Sequence, residues 1–384
     1  MRLPLLALIL APLLSACSGE SGSAPAALAP SASPFASIAP ATSASHSGRG
    51  VLLLEGGGPT VKEVSRRIID LAPDDRRLCL IETAADGKGD SRRRFDGLGG
   101  PPRRVLNPGP GDGDDPVILA ALGTCGAYFF DGGDPQRLSD TFRPEGHETA
   151  ALALVRDRYE HAGATVSGSS AGAMIAGPVT LCECGPHSSV AALRQGRLFE
   201  APGFGLVDGV LVDAHFFARA LIGRHLVALA RTKLPVGVGI DEETAVEVPP
   251  AGAPWRVVGS RAVAVIEAPA QAVEGRLEGF TLSLLRPGDA FDPAGPTFTV
   301  SPSRVEHTVR RDPAVIPAAA DTIFIDDRLL GLLEELAQGP ASEAIGYDFR
   351  EGLELHLVKT DATRVFVGES GVTVLGLRVS VIRR

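Results

Sequence analysis

The stretch ATVSGSSAGA, residues 164–173, decides how we interpret the chain. Its first half, ATVS, is a run of small and β-branched residues that predicts a buried strand. Its second half, GSSAG, fits the G-x-S-x-G pattern of a nucleophile elbow, in which a sharp turn from strand to helix lifts the central serine, here Ser170, clear of the backbone. A glycine- and serine-rich loop without chemistry is the alternative. The strand before the turn and the helix after it favour the elbow.

Backbone amides near the elbow are candidates for binding a developing negative charge. The residue after the serine, Ala171, begins the predicted helix, where an N–H group stabilises an oxyanion. A second turn, Gly132-Gly133, follows the apolar run GAYFF at 126–130, and glycines let the backbone approach a ligand closely. We therefore expect Gly132, Gly133 and Ala171 to form an oxyanion hole. By itself, the glycine turn predicts only the end of a strand.

Apolar runs of strand length alternate with helical patterns between residues 51 and 248. The predicted strands are 51–55, 78–83, 104–106, 126–130, 164–167, 205–212, 236–240 and 244–248, and the predicted helices are 61–71, 147–161 and 216–231. This alternation predicts an α/β fold with a mostly parallel sheet covered on both faces. The turn GGGP at 56–59 matches no phosphate-binding pattern, so we interpret it as a tight turn at the edge of the sheet.

Two further polar residues follow predicted strands. His215 lies between a strand and a helix, and Glu242 comes directly after the strand 236–240. In parallel sheets, ligands bind at the carboxyl ends of the strands, so three strands are expected to deliver Ser170, His215 and Glu242 to one edge. A nucleophile, a base and an orienting carboxylate must meet within hydrogen-bonding distance, and this convergence predicts such a triad.

Other acidic residues near the predicted base leave alternatives open. Glu183 and Glu200 lie between the serine and the histidine in sequence and are rival orienting acids. Asp213 either binds a substrate ammonium group or braces the loop before the histidine.

The composition limits the classes of function. The chain has 384 residues, of which 44% are hydrophobic, and this is enough for one large domain or for one domain with an appendage. Its net charge is −9 and its longest basic run is Arg92–Arg94, so a nucleic-acid-binding surface is not expected. We expect a peptide or another small molecule as substrate, with no metal ion and no organic cofactor.

The N-terminus has the pattern of an export signal. An apolar run at 3–14 precedes LSAC at 14–17, and the run is too short to span a bilayer as an ordinary transmembrane helix. This segment resembles a bacterial lipoprotein signal, which implies cleavage before Cys17, lipid on its thiol and, with Ser18 following, an outer-membrane location. An uncleaved or secretory signal with an incidental cysteine is the alternative. Residues 18–48, rich in Ser, Ala and Pro, predict a flexible tether.

The remaining cysteines are expected to be mainly free thiols. They are Cys79, Cys125, Cys182 and Cys184. The first lies in a predicted buried strand, and the last two are too close together for a common disulfide. Only His187 lies near this pair in sequence, so the pair is weak evidence for a metal site.

Four motifs, in order, resemble those of the cyanophycinases, a serine-peptidase family that also includes the aspartyl dipeptidases. They are FFDGGDPQRL at 129–138, GSSAGA at 168–173, PGFGLVDGVLVDAHFFARALIGR at 202–224 and GVGIDEETAV at 237–246. The resemblance covers residues 51 to about 290. It implies a class-I-glutamine-amidotransferase-like (flavodoxin-like) three-layer sandwich. The implied activity is that of a serine-type exopeptidase that cleaves amide bonds involving aspartate, as in the release of β-aspartyl-arginine from cyanophycin.

The resemblance also implies roles for individual residues. Ser170 is then the nucleophile, His215 the base and Glu242 the third member of the triad. Aspartyl dipeptidases place their acid soon after the serine, and this keeps Glu183 open. The residues implied to contact substrate are Gln136, Asp213, Arg219 and Arg224.

The chain departs from the family pattern at three positions. Ala214 stands where the family has glutamine, Leu221 where it has arginine, and Pro135 is an extra residue before Gln136. Hydrolysis is therefore a firmer expectation than cyanophycin as the substrate. A binding or scaffold protein that kept the fold and lost turnover is the main alternative. An amidotransferase with a cysteine nucleophile is disfavoured because the elbow holds serine, and a homodimer stays open.

The resemblance fades after about residue 290, so we divide the folded part into a catalytic domain at 49–290 and a C-terminal region at 291–384. Strand-like alternation at 297–309 and 353–382 flanks one helical pattern at 327–337. This predicts a small α+β appendage without a catalytic signal.

Overall fold

The computed structural model describes residues 48–73, 75–182, 185, 187–250 and 252–384. Several predictions lie outside these residues: the export signal, lipid on Cys17, the tether except for its last residue, and Glu183 as an alternative acid. Within the described part of the chain, every helix is too short or too polar to cross a membrane.

Helices and strands alternate through the first two thirds of the chain, and strands dominate the last third. The helices are α1 Lys62–Leu71, α2 Ser91–Arg94, α3 Pro116–Leu122, α4 Pro135–Phe142, α5 Ala150–His161, α6 Ala171–Met174, α7 Ser188–Gln195, α8 Ile222–Thr232 and α9 Arg328–Gln338. The strands are β1 Leu52–Glu55, β2 Arg77–Ile81, β3 Arg103–Leu106, β4 Cys125–Phe130, β5 Thr165–Ser169, β6 Val179–Cys182, β7 Phe199–Pro202, β8 Val210–Ala214, β9 Val236–Ile240, β10 Thr244–Val248, β11 Trp255–Gly259, β12 Val263–Glu267, β13 Phe280–Leu285, β14 Ala290–Asp292, β15 Thr297–Thr299, β16 Val305–His307, β17 Ala318–Ala320, β18 Glu343–Asp348, β19 Leu353–Gly368 and β20 Gly371–Arg383.

The first large sheet has the order β15-β14-β11-β10-β1-β5-β4-β2-β3. Its half from β1 to β3 is parallel, and its half from β1 to β15 is antiparallel. Alternate residues of the parallel strands enter two different core clusters: Leu52 and Leu54 lie on one face, and Leu53 on the other. Helices therefore cover both faces, as the apolar runs predict. The predicted α/β class is confirmed.

The second large sheet has the order β17-β18-β19-β20-β13-β12-β9-β8, and β16 pairs with β19. It contains the predicted strands 205–212 and 236–240, observed as β8 and β9. The prediction of one mostly parallel sheet is therefore wrong. The short connections after β9 and β10 allow only antiparallel neighbours or a change of sheet, because a parallel crossover needs a dozen or more residues.

The region after residue 290 is not a separate appendage. Its last strand, β20, pairs with β13, which precedes that residue, and both belong to the second sheet. Leucines of β19 and β20 share a buried cluster with Leu226 and Leu229 of α8. The predicted appendage is therefore corrected to a part of the second sheet. Regular alternation of apolar residues along β19 and β20 supplies this shared core.

The helix predicted at 216–231 begins only at Ile222. Residues 216–221 form turns, and Ala220 has a φ of 52°, which is incompatible with a right-handed helix. His215 is consequently placed on a loop of defined turns rather than at the start of a helix.

A disulfide joins Cys79 of β2 to Cys125 of β4 across a Cα–Cα distance of 5.8 Å. The expectation of free thiols is wrong for these two residues. The two strands are adjacent and parallel, which brings the cysteines together although 46 positions separate them in sequence. Both are fully buried in the core of the first sheet.

The disulfide should stabilise the fold. Replacing both Cys79 and Cys125 by alanine is expected to lower the free energy of unfolding by about 2–4 kcal/mol, because a cross-link restricts the unfolded chain. Urea unfolding of the wild type and of the double variant, each with and without a reductant, measures this. The reductant should destabilise only the wild type. Equal stability of the oxidised and fully reduced wild type would contradict the expectation.

Candidate active site

The elbow around Ser170 has the strand–turn–helix structure that the sequence predicts. β5 ends at Ser169 and α6 begins at Ala171. Ser170 itself has φ 54° and ψ −117°, a strained conformation for a residue with a side chain, and its N–H donates to the carbonyl of Glu55 at 2.9 Å. The turn needs both flanking glycines. A Cβ at Gly168 would lie 2.0 Å from the Gly172 carbonyl oxygen, and a Cβ at Gly172 would lie 2.0 Å from the Phe130 carbonyl oxygen.

A continuous chain of hydrogen bonds joins the three predicted catalytic residues. The distance from Ser170 Oγ to His215 Nε2 is 2.7 Å. His215 Nδ1 in turn lies 2.7 Å from Glu242 Oε1. The three side chains come from two sheets, since Ser170 follows β5 of the first sheet, while His215 and Glu242 follow β8 and β9 of the second. The predicted meeting is observed, but the single sheet edge that was expected to create it is not.

The glycine turn at 56–58 lies directly against the side chains of His215 and Glu242. A Cβ at Gly57 would lie 2.5 Å from His215 Cε1, and a Cβ at Gly58 would lie 2.7 Å from Glu242 Oε2. The interpretation of this turn as a plain sheet-edge turn missed its contact with the site. Three consecutive glycines after a buried strand were the available signal.

Burial governs the charge of His215, whose side chain is only 4% exposed. Loss of solvation lowers the pKa of His215, and this outweighs the raising effect of its hydrogen bond to Glu242. The neutral imidazole is therefore favoured at neutral pH. A neutral ring that accepts at Nε2 and donates from Nδ1 is suited to taking a proton from Ser170.

Glu200, one of the two rival acids, does not replace Glu242. Glu200 is exposed on β7, and the charges acting on it are those of Arg231 and Glu274. The hydrogen-bond partner of His215 Nδ1 is Glu242.

Two residues predicted to contact substrate are instead fully buried. Asp213 and Arg224 are both 0% exposed and form an ion pair with each other, while His225 Nδ1 lies 3.4 Å from the same carboxylate. Burial alone would raise the pKa of Asp213, but the charges of Arg224 and His225 outweigh it and lower the pKa. The prediction of substrate contact is therefore corrected for both residues. Their ion pair lies in the core next to His215. This agrees with the alternative for Asp213, that it braces the loop before the histidine.

One of the three predicted oxyanion donors is already engaged. The N–H of Gly132 donates to the carboxylate of Asp131 at 2.8 Å, so it is not available to a substrate. Gly133 has a φ of 145°, and a Cβ there would lie 2.2 Å from the carbonyl oxygen of Ala84. The glycine at this position is required by that close approach. Gly133 and Ala171 stay predicted donors.

A cavity of about 860 Å³ opens in front of Ser170. Gln136 and Arg219, two of the predicted substrate-contacting residues, line it. Gln136 Nε2 donates to Asp140 at 2.7 Å, and Arg219 Nε lies 3.8 Å from Glu242 Oε1. Ala214 and Leu221, two of the positions where the chain departs from the family pattern, are fully buried and do not line this cavity. These two departures therefore do not change the wall of the cavity.

Part of the chain is similar in sequence to cyanophycinases. The chain is 31% identical to a cyanophycinase from Synechococcus elongatus over 156 residues, which are 41% of this chain and 46% of that protein. A cyanophycinase from Trichormus variabilis is 30% identical over 151 residues, 39% of this chain and 48% of that protein. The resemblance to cyanophycinases is confirmed. The cyanophycinase-like match spans just under half the length of these relatives.

No family model matches the chain. A crystal structure of a peptidase from an acI-B1 Actinobacterium superposes with a TM-score of 0.44 at 21% identity, covering 67% of this chain and 96% of that chain.

Crowding at Gly57 should make alanine harmful there. Gly57→Ala is expected to lower the rate of Ser170 labelling by a serine-directed fluorophosphonate about 10²-fold, because the new methyl group displaces the His215 ring. Gly97→Ala is the matched control, since Gly97 also has a positive φ, 71°, but has open space around its Cα. Equal labelling rates for the two variants would contradict the crowding argument.

Proposed function

We propose that this chain is a serine-type exopeptidase of the cyanophycinase-like class that cleaves amide bonds of aspartyl peptides. The observation that carries the proposal is the chain of hydrogen bonds from Ser170 to His215 and from His215 to Glu242, each 2.7 Å long, with Ser170 in the wall of an open cavity. The named relatives that match part of the chain are cyanophycinases, and this supports amide hydrolysis as the reaction.

In the proposed reaction, Ser170 Oγ attacks the amide carbonyl carbon while its proton passes to His215 Nε2. Glu242 stabilises the imidazolium that forms. The amides of Gly133 and Ala171 hold the negative charge on the carbonyl oxygen. His215 then gives the proton to the leaving amine, and an acyl-enzyme remains. Water, deprotonated by the same imidazole, releases the acid and restores the serine.

The aspartyl part of the proposed substrate rests on the cyanophycinase-like motifs. Gln136 and Arg219 line the cavity and supply a hydrogen-bonding amide and a positive charge, which suit a substrate carboxylate. The burial of Asp213 and Arg224 leaves these two as the predicted contacts that reach the cavity.

We also propose that the chain is exported and anchored by lipid at Cys17. The buried disulfide between Cys79 and Cys125 supports export, because such bonds persist mainly in oxidising compartments. Radiolabelled palmitate should enter the wild-type protein in a bacterial host and should be absent from Cys17→Ser. Equal incorporation in both would rule out this anchor.

Loss of the serine hydroxyl should abolish the reaction. Ser170→Ala is expected to lose fluorophosphonate labelling and hydrolysis of β-aspartyl and α-aspartyl peptides and of cyanophycin, and to keep its melting temperature. Mass spectrometry of the labelled wild type should place the adduct on Ser170. A wild type that is folded but unlabelled would instead favour a binding protein that has lost turnover.

The pH dependence should reflect the lowered pKa of His215. Only the neutral imidazole accepts a proton, so the labelling rate should be full at neutral pH and should fall as pH drops through an apparent pKa below the ordinary histidine value of about 6.5. Glu242→Gln removes an interaction that raises this pKa, so its acid limb should move to still lower pH, with a plateau about 10²–10⁴-fold lower. An acid limb that moves to higher pH in this variant would contradict the assignment.

A further inference from the structure

The cavity in front of Ser170 has an apolar wall built from two distant parts of the chain. Phe199 lies at the start of β7, and Ile325 lies between β17 and α9. Both line the same cavity as Ser170. The second residue belongs to the region after 290, for which the sequence predicts no role in catalysis.

The backbone around Ile325 is held firmly. Its neighbours Ile323 and Phe324 are fully buried in the core of the second sheet. The N–H of Ile323 donates to the Tyr347 carbonyl at 3.1 Å, and the N–H of Ile325 donates to the Thr322 carbonyl at 2.9 Å. The half-buried side chain of Ile325 therefore has its backbone fixed before any ligand arrives, which reduces the entropic cost of a contact with one.

Phe199 is a large apolar side chain that stays 45% exposed beside this cavity. It pairs with Cys182 across the small β6–β7 sheet, so its backbone is also fixed. Ligand pockets in proteins are lined mainly by apolar and aromatic side chains, with a few polar groups that set orientation. An exposed aromatic ring in the wall of a cavity that contains an activated serine fits this description.

The described charges of the cavity do not favour a cationic side chain. Among the described lining residues the charged ones are Asp134 and Arg219. Asp134 is an exposed helix cap whose carboxylate accepts the N–H of Gln136 at 2.9 Å. Arginine at 219 repels a second cation. Among the lining residues that the structure describes, an arginine side chain of a substrate would therefore find one exposed and already bonded carboxylate, whereas an apolar side chain would find Phe199 and Ile325.

We propose that Phe199 and Ile325 are specificity-determining residues that select a substrate with an apolar side chain next to the scissile amide. The substrate class is an aspartyl peptide whose other residue is apolar rather than arginine. This inference rests on the proposed serine chemistry at Ser170. It adds to that chemistry a contribution from the C-terminal third of the chain.

Two fluorophosphonate probes test the wall without a known substrate. One carries an alkyl linker, and the other carries an ethylene-glycol linker of the same length. In each reaction the Ser170 oxygen forms a bond to phosphorus, fluoride leaves, and the serine proton passes to His215. The measured quantity is the ratio of the two labelling rates in the full chain.

The alkyl probe is expected to label the wild type about tenfold faster than the ethylene-glycol probe, as a small number of apolar contacts would produce. Ile325→Asp and Phe199→Ser should each bring the ratio close to one. The matched control is Ile316→Asp, because Ile316 lies in the same region, is 87% exposed and does not line the cavity. This control should keep the wild-type ratio.

The outcomes separate the two proposals. A wild type that reacts with neither probe would overturn the serine chemistry and this inference with it. A wild type labelled at Ser170 whose ratio is close to one, or is unchanged in both Ile325→Asp and Phe199→Ser, would overturn the apolar wall alone. Two variants on separate segments keep the test decisive if one of them fails to fold.

Hydrolysis of matched dipeptides extends the test to substrates. Cleavage of β-aspartyl-leucine is expected to exceed that of β-aspartyl-arginine about tenfold in kcat/KM, and Ile325→Asp should remove the difference. Faster cleavage of the arginine peptide by the wild type would overturn the inference while supporting the peptidase.

Discussion

Backbone packed against backbone at the turn 56–58 is the constraint on which the site depends. A Cβ at Gly56 would lie 2.0 Å from the carbonyl oxygen of Asp241, so the end of β1 touches the end of β9 without an intervening side chain. The Gly56 carbonyl accepts the N–H of His215 at 2.9 Å, and the Gly57 carbonyl accepts the N–H of Glu243 at 3.0 Å. The two sheets are thus joined at the point where the histidine and the acid leave the second one.

The conformation of the His215 loop is supported by buried carboxylates on both sides. His215 has a φ of 55°, a strained value for this residue type. Asp213 holds the end of β8 through Arg224, and Asp241 accepts the N–H groups of Phe217 and Ala218 at 3.1 and 2.9 Å. Buried ion pairs add little net stability compared with apolar packing, but removing one partner is costly. These contacts hold the residues on either side of His215 in place.

The sequence predicts local features of this molecule well and the pairing of distant strands poorly. β9 and β10 have the predicted bounds, and the elbow at Ser170 forms where G-x-S-x-G indicates. These features depend on residues that are close in the chain. The split into two sheets and the disulfide between Cys79 and Cys125 depend on which strands become neighbours, and hydrophobic periodicity carries no such information.

The difference between local features and distant contacts also explains which parts of the candidate site were predictable. The meeting of Ser170, His215 and Glu242 was predictable because each follows a strand and has a side chain suited to the predicted triad. The burial of Asp213 and Arg224 was not, since a charged pair is recognised as internal only when its surroundings are known. No sequence pattern predicted that Ile325 lines the cavity, because an isolated isoleucine in a strand-rich region is typical of a core residue.

Ser170 and Ile325 are held in place by different parts of the fold. The hydrogen-bonded residues are held by short turns after β5, β8 and β9. Ile325 is instead held by its own N–H bond to the Thr322 carbonyl and by its buried neighbour Ile323, whose N–H donates to the Tyr347 carbonyl of β18. Substitution at Ile325 is therefore expected to change the shape of the cavity and to leave the contacts of the imidazole unaltered. For the proposed peptidase, a fold built this way would allow selection among substrates to change while the geometry of proton transfer stays constant.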